Sequence, residues 1–150
     1  MSDQIVGRAM EILLIEDGLV DARLTIGALR ERGLQHRLTL VRDGSEAMDF
    51  LHQAGRFARA PRPDLILLDL MLPKTSGLEV LRQIRGDEQL KAIPVVVLTA
   101  SDDDEDKASC ETLKVDSYIT KPVNPQKFFA VVRQLKRFWL EDVILPPAVE

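Results

Sequence analysis

Short apolar runs alternate along this chain with longer stretches whose apolar residues recur at helical spacing, and the alternation repeats five times. The runs predict strands over about Glu11 to Glu16, Arg37 to Val41, Asp64 to Asp69, Ile93 to Thr99 and Ser117 to Thr120. Nearly continuous Ile, Leu and Val in the first, third and fourth marks them as central strands, buried on both faces. Between the runs, Val20, Leu24, Gly27 and Ala28 share one helical face, Ala47, Leu51 and Ala54 a second, and Leu78, Leu81 and Ile84 a third. A last helix is predicted from Pro125 to Leu140. Asn124 is its N-cap and a proline stands in its first turn; Phe128, Val131, Val132, Leu135 and Trp139 form its stripe. Five β-α pairs predict an α/β fold, a doubly wound parallel sheet with helices on both faces.

Two segments depart from this pattern. Gly55 to Pro63 places Arg56, Arg59 and Arg62 among glycine and prolines and reads as an exposed loop. From Glu141 onward, Leu145-Pro146-Pro147 cannot continue a helix and predicts an extended tail. The expected organisation is an N-terminal extension over residues 1–10, one domain over 11–140, a tail over 141–150 and no output domain, so that any output comes through binding. Internal repeats and low-complexity tracts are absent.

Composition narrows the function classes. A chain of 150 residues, 45% hydrophobic and 29% charged, can bury roughly two-thirds of its unfolded surface without a disulfide or structural metal. A formal charge of -4 carries no basic excess for nucleic acid or an anionic membrane surface, so neither is an expected partner. Cys110 is the one cysteine, which excludes an internal disulfide and suits a reducing compartment. The first ten residues lack a basic start with a long apolar stretch, and no run approaches the ~20 residues a membrane span requires. The expected location is the cytoplasm.

The chemistry gathers at the ends of the runs. In a parallel sheet the carboxyl ends of all strands lie along one edge, so residues far apart in sequence meet there around a ligand. Here those ends carry Glu16-Asp17, Asp69, Thr99 and Lys121-Pro122. Clustered carboxylates repel unless a cation joins them. Magnesium takes hard oxygen ligands, typically one or two carboxylates with waters and a phosphate oxygen. Asp17 and Asp69 can supply that pair, and the Met71 carbonyl a further oxygen. Asp17 can equally be read as a helix N-cap, and Asp69 as a strand-end acid bonded to loop amides. Asp69 follows four aliphatic residues, where an unpaired acid is costly to bury, and a carboxylate there suits metal coordination or attack on phosphorus. The Thr99 hydroxyl can donate to a phosphoryl oxygen, with the small Ala100 leaving room. The Lys121 ammonium can pair with phosphate or with the acids.

Other polar features have plainer readings. Ser101, Asp102, Asp103, Asp104, Glu105 and Asp106 form the N-cap and acidic first turn that a helix dipole favours. His36 and His52 lack Cys or acids at ligand spacing. Cys110 reads as a small buried hydrophobe.

Taken together, Glu16-Asp17, Asp69, Thr99 and Lys121-Pro122 resemble the motif set of response-regulator receiver domains of two-component signalling, over about Glu11 to Leu140. The resemblance implies a flavodoxin-like five-stranded sheet of order 2-1-3-4-5 flanked by five helices. It makes Asp69 the phosphoacceptor, Glu16 and Asp17 the acidic pocket, Met71 a backbone metal ligand, Thr99 the switch hydroxyl and Lys121 the phosphate-pairing ammonium. Tyr118 matches the family's switch aromatic. It also implies Mg2+ as cofactor, a sensor histidine kinase as partner and output through the surface of the fourth helix, fifth strand and fifth helix. By the same resemblance the protein catalyses nothing beyond its own phosphorylation and dephosphorylation.

The arginine-containing loop, the phrase Ile93-Pro94-Val95-Val96-Val97-Leu98-Thr99 and the ending Phe138-Trp139-Leu140 with Leu145-Pro146 resemble the stand-alone response regulators that partner phytochrome-type kinases. That group commonly dimerises through its last helices and tail. Phe138, Trp139 and Leu140 are therefore candidates for a homodimer or partner surface, or for a satellite cluster over the sheet edge. Three rival classes remain: a phosphohydrolase, whose second acid would stand where Met71 is; a nucleotide or flavin module, whose glycine-rich phosphate loop is missing; and a phosphorylation-independent pseudo-receiver. A relay intermediate or phosphate sink is the alternative role within the family.

Overall fold

The structure, a computed structural model, describes residues 9–31, 35–100 and 104–134. Five strands, β1 (Met10–Ile15), β2 (His36–Val41), β3 (Leu65–Asp69), β4 (Val95–Thr99) and β5 (Ser117–Thr120), alternate with five helices. These are α1 (Leu19–Glu31), α2 (Gly44–Leu51), α3 (Gly77–Gly86), α4 (Asp104–Thr112) and α5 (Pro125–Gln134). All strand pairs are parallel, in the order β2-β1-β3-β4-β5. The strands agree with the sequence pattern to within two residues at either end, because a run of Leu, Ile and Val leaves little else for the backbone to do at the centre of an α/β layer.

Alternate strand residues point to opposite faces and build two cores. Met10, Ile12, Leu14, Leu65, Leu67, Val96 and Leu98 pack beneath α1 and α5, against Ala28, Leu29, Phe128 and Val132. Leu13, Ile15, Ile66, Leu68, Val95 and Val97 pack against Ala47, Phe50 and Leu51 of α2, Val80, Leu81 and Ile84 of α3, and Cys110 of α4. Cys110 is buried as a small apolar group, and burial pushes its thiol pKa up. Asn124 caps α5 as its position implies, its Oδ1 accepting from the amides of Gln126 and Lys127.

Two helical faces differ from expectation. In α1 the buried residues are Ala22, Thr25, Ala28 and Leu29, whereas Val20 and Leu24 are 72% and 54% exposed and Gly27 is exposed too. Both stripes have helical spacing. The one with small residues meets the sheet, since Ala22 and Ala28 let the backbones approach. Ala54 is exposed because α2 ends at Leu51, with His52 as its C-cap and Gln53 at a positive φ. The arginine-bearing segment that follows is solvent-facing but anchored: Gly55–Phe57 forms a 3-10 turn, Phe57 meets Phe50 edge-on at 5.3 Å, and Arg62 donates to the Leu51 carbonyl.

Outside the described residues lie the N-cap expected of Ser101, the acids Asp102 and Asp103, and the candidate surface of Phe138, Trp139 and Leu140. The same holds for residues 1–8 and 141–150. Among the described residues no helix is long and apolar enough to cross a membrane.

Two glycines should respond oppositely to a methyl group. A Cβ on Gly77 would stand 2.5 Å from both the Asp69 carbonyl and the Leu70 Cα. Gly77→Ala should therefore cost about 1–3 kcal/mol by overpacking. Gly27 is mid-helix, and a Cβ there would meet no neighbouring atom within 4 Å. Gly27→Ala should add about 0.5–1 kcal/mol. Urea unfolding of the two variants checks the pair; equal effects would contradict it.

Candidate functional site at the carboxyl edge of the sheet

Parallel register places the predicted residues along one edge. Glu16 follows β1 directly, Asp69 and Thr99 end β3 and β4, and Lys121 follows β5. Ladder partners Ile15 with Leu68 and Asp69 with Leu98 keep the strand ends level. The Lys121 amide donates to the Thr99 carbonyl at 2.7 Å, which fixes the turn carrying the lysine, and the Lys121-Pro122 bond is cis.

The lysine side chain is 9% exposed and its Nζ contacts three carboxylates. It donates to Glu16 Oε1, to Asp69 Oδ2 at 2.9 Å and to Asp21 Oδ2 at 3.0 Å. Each buried acid also uses its second oxygen, Glu16 Oε2 accepting from the Gly18 amide at 3.0 Å and Asp69 Oδ1 from the Met71 amide at 2.9 Å. Asp69 thus has the loop-amide bond of the plain reading and the ion pair of the chemical one. Asp17 is exposed at the rim, where Arg42 Nη2 donates to its carbonyl at 2.9 Å and lies 3.7 Å from Oδ1.

Protonation follows from these contacts. Burial alone would depress the Lys121 ammonium, but hydrogen bonds to Glu16, Asp69 and Asp21 outweigh it and hold its pKa above the ordinary lysine value. Burial is also the largest influence on Glu16. With Asp69 beside it, burial lifts the Glu16 pKa above the ordinary 4.5 against the opposing pull of Lys121 and the Gly18 amide.

Four carboxylates, from Glu16, Asp17, Asp21 and Asp69, therefore share one edge with the ammonium of Lys121 and the rim guanidinium of Arg42. That surplus of negative charge suits a hard divalent cation, and the exposed Asp17 and the buried Asp69 offer carboxylate oxygens to it. Among the described residues no group of three His, Cys, Asp or Glu side chains is arranged to enclose a metal ion.

Thr99 is fully buried at the end of β4. Tyr118 is half-buried in the β5 ladder opposite Val97, and Lys107 of α4 places its Nζ 5.7 Å from the ring centre. Asp21 and Arg42 are not among the residues that the sequence singles out. Asp21 stands four residues after Asp17 on the first turn of α1, a same-side spacing that could have flagged it. Arg42 follows β2 just as Glu16 follows β1. His52 contacts Asp87 at 2.9 Å, away from these residues and from any predicted role.

Comparison with known proteins agrees with this geometry. The family model of the response regulator receiver domain matches residues 12–133. Response regulator Rcp1 of Synechocystis sp. is 47% identical over 137 residues, covering 91% of this chain and 93% of Rcp1. The crystal structure of the phosphorylated cyanobacterial phytochrome response regulator RcpA superimposes with a TM-score of 0.74 at 46% identity, covering 93% of this chain and 99% of that one. The Mn2+-bound form of Rcp1 gives a TM-score of 0.73 at 46% identity, with 92% and 99% covered. This chain belongs to the response-regulator receiver family.

The raised Glu16 pKa has a stability consequence. A carboxyl with a higher pKa folded than unfolded contributes stability that is complete below the ordinary value and lost as pH rises through the folded value. Glu16→Gln removes that titration, so the melting temperature of wild type relative to the variant should fall as pH rises from 4.5 toward 7. Thermal melts of both proteins across pH test this, and a difference that grows in favour of wild type over that range would contradict it.

Proposed function

We propose that this protein is a phosphoryl-accepting response regulator in which Asp69 takes a phosphoryl group from the phosphohistidine of a sensor histidine kinase of the phytochrome type, in the cytoplasm. The observation that carries the reading is the buried Lys121 ammonium held against Asp69 and Glu16 at the carboxyl edge of the sheet. In the transfer a carboxylate oxygen of Asp69 attacks phosphorus as the bond from phosphorus to the donor's imidazole nitrogen breaks. That nitrogen keeps the electron pair, and the product is an acyl phosphate on Asp69. Lys121 donates to a phosphoryl oxygen, as does the Thr99 hydroxyl. Mg2+, held by Asp17, Asp69 and the Met71 carbonyl with Glu16 completing the acidic pocket, would neutralise charge on the phosphoryl oxygens.

The surroundings support both halves of this reading. Among the described residues the large apolar side chains left exposed are Leu19, Val20, Leu24 and Met71. They belong to α1 and to the loop after β3, beside the acidic edge, where a donor protein can cover them as it docks. Relatives described as phytochrome response regulators favour a kinase of that type as the donor. Once Asp69 carries the phosphoryl group, a Thr99 hydroxyl drawn to it vacates space beside β5, and Tyr118 repacks with the α4-β5-α5 face as the output.

Incubation with acetyl phosphate and Mg2+ should add one phosphoryl mass to the wild type. Omission of Mg2+ or the change Asp69→Asn should abolish it, read by intact mass spectrometry. Undiminished labelling of Asp69→Asn would overturn the assignment.

A further inference from the structure

An ammonium has three N–H donors, and in Lys121 three carboxylates take them. A phosphoryl oxygen arriving at Asp69 can be bound only if one of those carboxylates lets go. Glu16 and Asp69 have side chains 2% and 6% exposed, and releasing either would leave a buried carboxylate without its counter-charge. Asp21 is different. Its side chain is 48% exposed on the first turn of α1, so water can replace the ammonium at little cost. We propose that Asp21 is a positioning residue for phosphoryl acceptance, a place-holder that seats Lys121 in the resting pocket and yields its N–H to the incoming phosphoryl oxygen. The proposal rests on the reading of Asp69 as the phosphoryl acceptor.

Asp21 then acts in opposite senses on the two ligands of the pocket. Its charge adds to the pull on a divalent cation, and its carboxylate competes with phosphoryl oxygen for Lys121. A residue that only braces α1 against the turn after β5 would not divide its effects by the sign of the ligand's charge.

The experiment compares wild type, Asp21→Asn and Asp21→Glu. Mg2+ affinity is measured by calorimetry, and labelling by acetyl phosphate is followed at saturating Mg2+ over a range of donor concentrations. Asparagine keeps the size and an acceptor oxygen but removes the charge. Asp21→Asn should weaken Mg2+ binding and lower the KM for acetyl phosphate, each by roughly threefold or more, the size of a unit charge acting through partly hydrated surroundings. Asp21→Glu should return both values toward wild type. A labelled wild type with both quantities unchanged in Asp21→Asn, or with both ligands bound more weakly, would overturn the assignment of Asp21 alone. An unlabelled wild type would overturn the acceptor role of Asp69 and this proposal with it.

Discussion

Glu16 and Asp69 are carboxylates buried at the ends of neighbouring strands, and the Lys121 ammonium is what allows both to remain there. Removing one partner from a buried ion pair typically costs about 3–5 kcal/mol, because it strands an uncompensated charge. The lysine follows β5, 105 positions after Glu16 and 52 after Asp69. The pocket therefore exists only when β1, β3 and β5 are all in register. Its chemistry is inseparable from the closure of the fold.

The two cores serve that arrangement. Strand residues alternate between a layer under α1 and α5 and a layer under α2, α3 and α4, so every strand end is clamped from both faces. The loop after β3 is drawn tight against its own strand, since the Gly77 amide donates to the Leu70 carbonyl and the missing side chain admits the contact. This keeps the Met71 amide on Asp69 and leaves the Met71 side chain outside, 72% exposed. The edge thus sets hydrogen-bonded carboxylates beside an exposed apolar side chain.

Much of this is legible in the sequence, for identifiable reasons. Continuous aliphatic runs give the strands, and strand ends in a parallel sheet share an edge, so Glu16, Asp17, Asp69, Thr99 and Lys121 can be brought together without coordinates. Helical periodicity is a weaker guide. It shows that α1 has a stripe at 20, 24 and 27, but a second stripe at 22, 25 and 29 fits the same period, and only the sheet's need for small residues selects between them. The spacing of Asp21 from Asp17 hints at the same edge, but its contact with Lys121 is not legible because that partner stands 100 positions away.

The most direct measurement is a crystal structure grown with Mg2+ and beryllofluoride, a mimic of the phosphoryl group. The expected result is beryllofluoride on an Asp69 carboxylate oxygen, with Lys121 and Thr99 donating to its fluorines and Mg2+ bound to Asp17, Asp69 and the Met71 carbonyl. An unmodified Asp69 still paired to Lys121, at concentrations that saturate known receivers, would contradict its role as the phosphoryl acceptor.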